Sequence, residues 1–187
     1  YDFSFMKIGI VGKNGSGKST VCEYLKQEGY QVVSLSDSLR REATSLGMSL
    51  TRDNLTNLGR QLKKDEGQDV LAKRLYQYVQ SQGWENTVFD SIRNVAEVDY
   101  LISKGLSIFG VDAPIRVRYD RIKLRKKETD FVDFETFKRQ DETESQGDNP
   151  AQQLNKVLLK CQYVFDNQGD ETVLYREIDR VMLNRNK

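Results

Sequence analysis

Eight consecutive residues, Gly12-Lys13-Asn14-Gly15-Ser16-Gly17-Lys18-Ser19, combine three glycines, two lysines and two serine hydroxyls in the phosphate-gripping pattern G-x-x-x-x-G-K-[ST]. Each residue type has a task. Glycine permits backbone angles that aim successive amide hydrogens at a single anion. A helix starting behind the loop adds its positive N-terminal end. Lys18 can reach the β- and γ-phosphates of a nucleoside triphosphate, and the Ser19 hydroxyl can ligate Mg²⁺. The stretch Gly12, Lys13, Asn14, Gly15, Ser16, Gly17, Lys18, Ser19 and Thr20 is therefore expected to hold ATP, with Lys18 acting in catalysis.

The chain has 187 residues and contains no histidine. A Ser-His-Asp triad, a histidine general base and histidine-ligated zinc are excluded. The remaining set, Lys, Arg, carboxylates, hydroxyls and backbone amides, suffices for phosphoryl transfer, where positioning and charge stabilisation supply nearly all the catalysis. Net charge is only +1, so neither a nucleic-acid nor a membrane-surface partner is expected. The longest apolar runs, such as Leu106 to Val111, fall far short of the ~20 residues of a membrane span. No basic-then-apolar leader is visible, and Cys22 and Cys161 follow no metal or redox spacing. A cytoplasmic protein, a monomer or weak dimer, is expected. Tyr1 to Phe5 precede Met6 and read either as a tag remnant or as a short native arm.

The elements that must position the loop follow from hydrophobic patterning. Lys7 to Val11 reads as a buried strand entering the loop, and Ser19 to Glu28 as the helix leaving it, ended by Gly29. Gln31 to Leu35 reads as a second strand, followed by a helix capped by Asp37 and running to about Ser45. Thr51 starts a third helix, and Asp69 to Gln80 is a fourth. Thr87 to Asp90 is a third strand, Val95 to Ser103 a helix, and Leu106 to Val111 a fourth strand apolar enough to be covered on both faces. Pro114 suits the first turn of the next helix. A polar stretch, Glu128 to Asn149, holds a helix near Phe134 to Glu144. Asn149-Pro150 is expected to open a helix to about Lys160, Tyr163 to Phe165 is a fifth strand, and Asp170 caps the closing helix. Strands alternating with helices imply an α/β fold with a parallel sheet covered on both faces.

Four further segments accompany the loop: Ser36-Asp37-Ser38-Leu39-Arg40-Arg41, Phe89-Asp90-Ser91-Ile92-Arg93, the arginines Arg118, Arg121 and Arg125, and Phe137-Lys138-Arg139-Gln140-Asp141. In this order they resemble the P-loop nucleoside monophosphate kinases, the adenylate kinase group in particular. The nearest likeness is to uncharacterised adenylate-kinase-related P-loop proteins, with dephospho-CoA kinases next. Ser36 to Arg41, Asn57 to Ala72, Asp90 to Val98 and Ala113-Pro114 carry it, and it spans nearly all of the chain from Met6 on.

The resemblance implies a three-layer sandwich of the P-loop NTP hydrolase fold in one domain, 6–187, with a five-stranded parallel sheet in the order 2-3-1-4-5. It implies an acceptor-binding helical insert over 37–82 and a small metal-free helical lid over 127–149. Arg40 and Arg93 would hold the acceptor's phosphate. Asp90 would be the carboxylate near Mg²⁺, beside Ser19. Arg121 and Arg125 would line the mouth of the nucleotide site, Arg139 would reach the transferring phosphate from the lid, and Asn167 would lie near the donor base. Ser91 departs from the glycine usual in these kinases after that Asp.

Read without the resemblance, several of these residues have two meanings. Arg40 and Arg41 could both line a solvated helix face, and Arg40 is taken as the functional one. Arg93 could pair with Glu97 one turn on. Asp90 could cap a helix from Ile92. Asp37 could cap its helix, or act as a general base that deprotonates an acceptor hydroxyl. Tyr30, Tyr76, Tyr78 and Tyr100 suit packing more than base stacking. The leading expectation is ATP- and Mg²⁺-dependent transfer to a nucleoside monophosphate. The alternatives are hydroxyl phosphorylation of the dephospho-CoA kinase kind and a nucleotide sensor with little turnover. A GTPase is disfavoured, because Asn167-Gln168-Gly169-Asp170 lacks the lysine of N-K-x-D.

Overall fold

In a computed structural model describing residues 6–125, 132–146 and 153–183, the strand that enters the glycine loop is the central one. β1 (Lys7–Gly12) lies between β3 (Thr87–Asp90) and β4 (Ser107–Asp112), with β2 (Gln31–Ser34) outside β3 and β5 (Tyr163–Asp166) outside β4. All four pairings are parallel, so the order 2-3-1-4-5 expected above is the observed one. A central parallel strand must be apolar on both faces, and β1 is buried from Ile8 to Gly12.

Its two faces meet different helices. Ile8, Ile10, Val88, Phe109 and Phe165 pack with Val21, Cys22 and Leu25 of α1 (Lys18–Gln27) and Leu174, Ile178 and Met182 of α9 (Glu171–Leu183). On the opposite face Val11, Val33, Phe89 and Ile108 pack with α2 (Leu35–Ser45), α3 (Arg52–Glu66), α4 (Val70–Ser81), α5 (Val95–Ser103) and α8 (Leu154–Leu158). α6 (Ile115–Arg125) and α7 (Phe134–Gln146) complete the chain order. No helix of the described residues is long and apolar enough to cross a membrane. Tyr30 is buried, Tyr76 packs against Phe89 and Tyr100, and Tyr78 against Trp84, all within the core or at its rim.

Local details differ from the pattern-based expectations for identifiable reasons. The helix after β2 starts at Leu35, with Ser34 as its N-cap: Ser34 Oγ accepts from Ser36 N at 3.2 Å, and Asp37 Oδ2 accepts from Ser34 N at 3.2 Å. Asp37 is thus the far half of a capping box and not the cap itself. Leu35, expected to close the strand, is buried in the first turn of the helix instead. α5 likewise begins at an Asn94–Glu97 capping box, so Asp90 caps no helix. The helix expected from Asn149-Pro150 to about Lys160 is observed only over Leu154–Leu158; its expected start lies outside the described residues. The Thr51 and Asp170 caps form as expected, Thr51 Oγ1 accepting from Asn54 N and Asp170 Oδ1 from Thr172 N.

Candidate active site

The loop between β1 and α1 opens at the carboxyl edge of the sheet, where parallel α/β sheets bind ligands. Gly15 and Gly17 take φ of +78° and +100°, a region that favours glycine. A Cβ on Gly15 would lie 2.6 Å from the Arg118 carbonyl oxygen, and one on Gly17 2.0 Å from Asn167 Nδ2. The loop is therefore shaped by its neighbours before any ligand arrives. Ser16 N donates to Lys13 O at 3.1 Å, closing a turn, and Lys18 Nζ reaches back to Lys13 O at 3.3 Å. Ser16 Oγ is buried with no hydrogen-bond partner among the described residues. Ser19 is exposed, and Thr20 follows it on α1.

Asp90 ends β3 beside the loop. Its Oδ1 is buried and unpartnered among the described residues. Its Oδ2 accepts from Ser91 Oγ at 3.4 Å, while Ser34 Oγ bonds Ser91 Oγ at 2.9 Å. The Cys22 thiol lies in the same field: burial, then the Asp90 charge, push it up to about 12, with Lys18 opposing. A thiol so raised is inert, in keeping with Cys22 as a small core residue. The orphaned Asp90 carboxylate oxygen and the exposed Ser19 hydroxyl are of the donor types that suit a Mg²⁺ ion keeping most of its waters. The glycine cradle and the unpartnered Ser16 hydroxyl fit a polyphosphate.

Ser91 takes φ of +65°, the one positive-φ residue other than glycine among those described. The loop thus adopts the shape that glycine would give at this position, with the serine hydroxyl bridging Ser34 and Asp90. Ser91→Gly and Ser91→Ala both remove that bridge, so their difference isolates the backbone. The Gly variant is expected to be the more stable by about 1 kcal/mol, or ~2–4 °C in melting temperature by thermal denaturation.

Arg93 follows on a braced loop. Glu97 Oε2 accepts from Arg93 N at 2.9 Å and Asn94 N at 3.3 Å, and Glu97 Oε1 pairs with Lys63 at 3.2 Å. Asn94 Nδ2 adds a bond to Gln68 O. The Arg93 guanidinium takes no part in the brace, is exposed, and has no ion-pair partner among the described residues. Sequence reasoning singled out Arg93 and named Glu97 as a side-chain partner for it, but missed Lys63, Asn94 and the backbone brace that Glu97 forms; the Asn94-x-x-Glu97 spacing was the available signal.

Asp37 and Arg40 lie together on α2: Arg40 Nη1 donates to Asp37 Oδ1 at 2.8 Å. With Oδ2 on Ser34 N, both oxygens of Asp37 are engaged. Arg41 instead lies over the Tyr78 ring, 3.9 Å from its centroid. It lines an open cleft of about 520 Å³ between α2 and α4 with Ser38, Glu42, Glu66, Val70, Lys73, Arg74 and Gln77. None of these belongs to the phosphate loop, and Arg74 there already pairs with Glu42 and Glu66.

On the other side of the loop α6 presents arginines at one-turn spacing. Arg121 Nη2 donates to Asn167 Oδ1 at 3.5 Å, and Arg125 Nη2 to Asn14 Oδ1 at 3.4 Å. Asn167 is buried and its Nδ2 donates to Ser16 O at 2.9 Å, so it buttresses the phosphate loop from behind. Arg139 is exposed on α7 and bonds Thr136 Oγ1 of its own helix at 3.1 Å. Of the lid expected over 127–149, the described part docks on α6: Tyr119 packs against Phe134 and Phe137, and Asp141 is buried against Arg118. The structure thus gathers Lys18, Arg121, Arg125 and Asn167 at the phosphate loop, with Ser19 at the start of α1 and Asp90 at the end of β3, sets Arg93 on the loop after β3, pairs Asp37 with Arg40 at the start of α2, and leaves Arg139 exposed on α7.

Known proteins share this frame. Residues 8–147 match a family model described as an AAA domain. A UPF0200/UPF0201 protein of Archaeoglobus fulgidus is 30% identical over 181 residues; the match covers 94% of this chain but spans only about half, 54%, of that protein. A UPF0200 protein of Methanosarcina mazei is 30% identical over 163 residues, covering 85% of this chain and 87% of the relative. Among solved structures, shikimate kinase from Bacteroides thetaiotaomicron superposes with a TM-score of 0.60 at 9% identity, over 95% of this chain and 98% of that one, a likeness of fold alone. With a phosphate loop, a parallel 2-3-1-4-5 sheet and matches of this extent, the chain belongs to the AAA domain family and to the UPF0200 proteins.

Proposed function

We propose that this protein is an ATP- and Mg²⁺-dependent phosphotransferase that moves the γ-phosphate of ATP to a nucleotide acceptor, with a nucleoside or deoxynucleoside monophosphate as the acceptor class. The observation that carries this reading is the pairing of a preformed phosphate cradle with a braced, outward-held Arg93 guanidinium on the neighbouring strand end. An acceptor phosphate oxygen attacks the γ-phosphorus as the bond to the β,γ-bridging oxygen breaks, and ADP leaves. Loop amides and Lys18 hold the charge gathering on the β- and γ-oxygens. Ser19 and Asp90 would hold Mg²⁺, which would neutralise part of that charge. Arg93 fixes the acceptor phosphate by charge-assisted hydrogen bonds.

The engagement of both Asp37 oxygens favours a monophosphate over a hydroxyl acceptor, since a phosphate needs no base. Asp37→Asn is therefore expected to cost about 1 kcal/mol of stability and to change turnover less than threefold, as loss of a cap partner does. A fall of about 10²–10⁴-fold in turnover with unchanged binding would make Asp37 a base and the acceptor a hydroxyl. The reading itself is tested by measuring ADP release from MgATP against a panel of nucleoside monophosphates and dephospho-CoA. ADP release stimulated by a monophosphate is expected. Release unchanged by every monophosphate in the panel would contradict it.

A further inference from the structure

The most deeply buried charged pair in the described structure is not in the acceptor region but behind the phosphate loop. Arg118, 2% exposed, donates from Nη1 to Asp141 Oδ1 at 2.6 Å and from Nη2 to Asp141 Oδ2 at 2.9 Å, a two-pronged pair joining α6 to α7. The same guanidinium donates from Nε to Ala113 O at 2.9 Å and from Nη1 to Asn14 O at 3.3 Å. Its backbone lies under the loop as well, since a Cβ on Gly15 would sit 2.6 Å from Arg118 O. One residue therefore touches the loop twice, through a carbonyl it binds and through a glycine it leaves no room to fill.

Burying two charges carries a desolvation penalty that apolar residues of similar volume would not, so such a pair is weak evidence for stability and calls for another role. The fork geometry of arginine supplies one. A guanidinium satisfies a carboxylate and two carbonyls at fixed angles, which an ammonium does not. Asp141 locks the fork from one side, and the Asn14 carbonyl is held on the other. With that carbonyl drawn back into the protein, the peptide amides beyond it are held for an anion.

We infer that Arg118 is a positioning residue: locked by Asp141, it fixes the Asn14–Gly15 segment of the phosphate loop, so that the loop's anion-binding shape depends on the docking of α7. The inference rests on the loop being the triphosphate site proposed above. It also ties the placement of Arg139, two residues from Asp141 on α7, to the same anchor.

The test compares wild type with the apolar double variant Arg118→Met/Asp141→Leu and with Arg118→Lys. Three measurements are made: thermal denaturation, hydrogen exchange of the amides of residues 14–17, and MgATP affinity by calorimetry. The double variant is expected to melt within a few degrees of wild type, to exchange its loop amides about tenfold faster and to bind MgATP about tenfold more weakly. Arg118→Lys, which keeps a charge for Asp141 but not the fork, is expected to show the same loop defects and covers the case in which the double variant does not fold. Folded variants with wild-type loop exchange and wild-type affinity would overturn the inference. If wild type binds no triphosphate but the loop exchange still accelerates in the variants, the anchor stands and the reading of the site fails.

Discussion

Replacing Lys18 by Ala is expected to weaken MgATP binding at least tenfold and to lower turnover by about 10²–10³-fold, the scale for losing one preorganised donor to developing transition-state charge. The fold should survive the change. Lys18 is half-buried at the first position of α1, its ammonium donates to the Lys13 carbonyl in the loop itself, and it belongs to neither core cluster. The melting temperature should therefore stay within a few degrees of wild type while calorimetry and steady-state kinetics show the loss. A variant that melts like wild type and also binds and turns over MgATP like wild type would mean that the ammonium faces no phosphate.

Arg93→Ala is expected to raise the acceptor KM by roughly 10–150-fold, the equivalent of about 1.5–3 kcal/mol for a hydrogen bond to a charged group, and to leave the KM for ATP unchanged. The selectivity follows from how the loop is braced. Glu97 holds Arg93 through its backbone amide, which alanine retains, and Lys63 and Asn94 complete the brace without the guanidinium. Glu97→Gln is the useful contrast, because it removes the charge that Lys63 pairs with in a buried site and should lower stability as well as acceptor affinity. A loss of ATP affinity in Arg93→Ala equal to that for the acceptor would show that Arg93 reads the donor instead.

The phosphate loop was legible because all its chemistry is local: eight contiguous residues whose types state their own backbone needs. The strands were legible for the same reason, each being a short apolar run between turn signals. Periodicity does not say which strand lies beside which; the order came from the resemblance, and the observed pairing of β1 with both β3 and β4 agrees with it. Ser34 and Asp37 were harder to separate, since both are good caps, and the apolar Val32-Val33 pair drew Leu35 into the strand. The Ser34-x-x-Asp37 spacing held the answer.

What no local pattern carried was the back of the site. Arg118 and Asp141 are 23 residues apart, and each sits in a charged stretch that reads as a solvated face. Asn167 was expected near the donor base, and its bond to Ser16 O, a contact across 151 residues, was not foreseen. Buried polar partners at such separation are products of topology, and only the assembled fold reveals them.

The account stands on the claim that the turn after β1 binds a phosphate chain, and a competition titration addresses it without any knowledge of the acceptor. With a fluorescent ATP analogue and Mg²⁺ present, ATP, ADP, AMP, adenosine and inorganic triphosphate are added in turn as competitors. The account predicts saturable binding in which ATP and ADP compete well, triphosphate competes measurably and adenosine fails. Adenosine competing as well as ATP, with triphosphate inert, would contradict it.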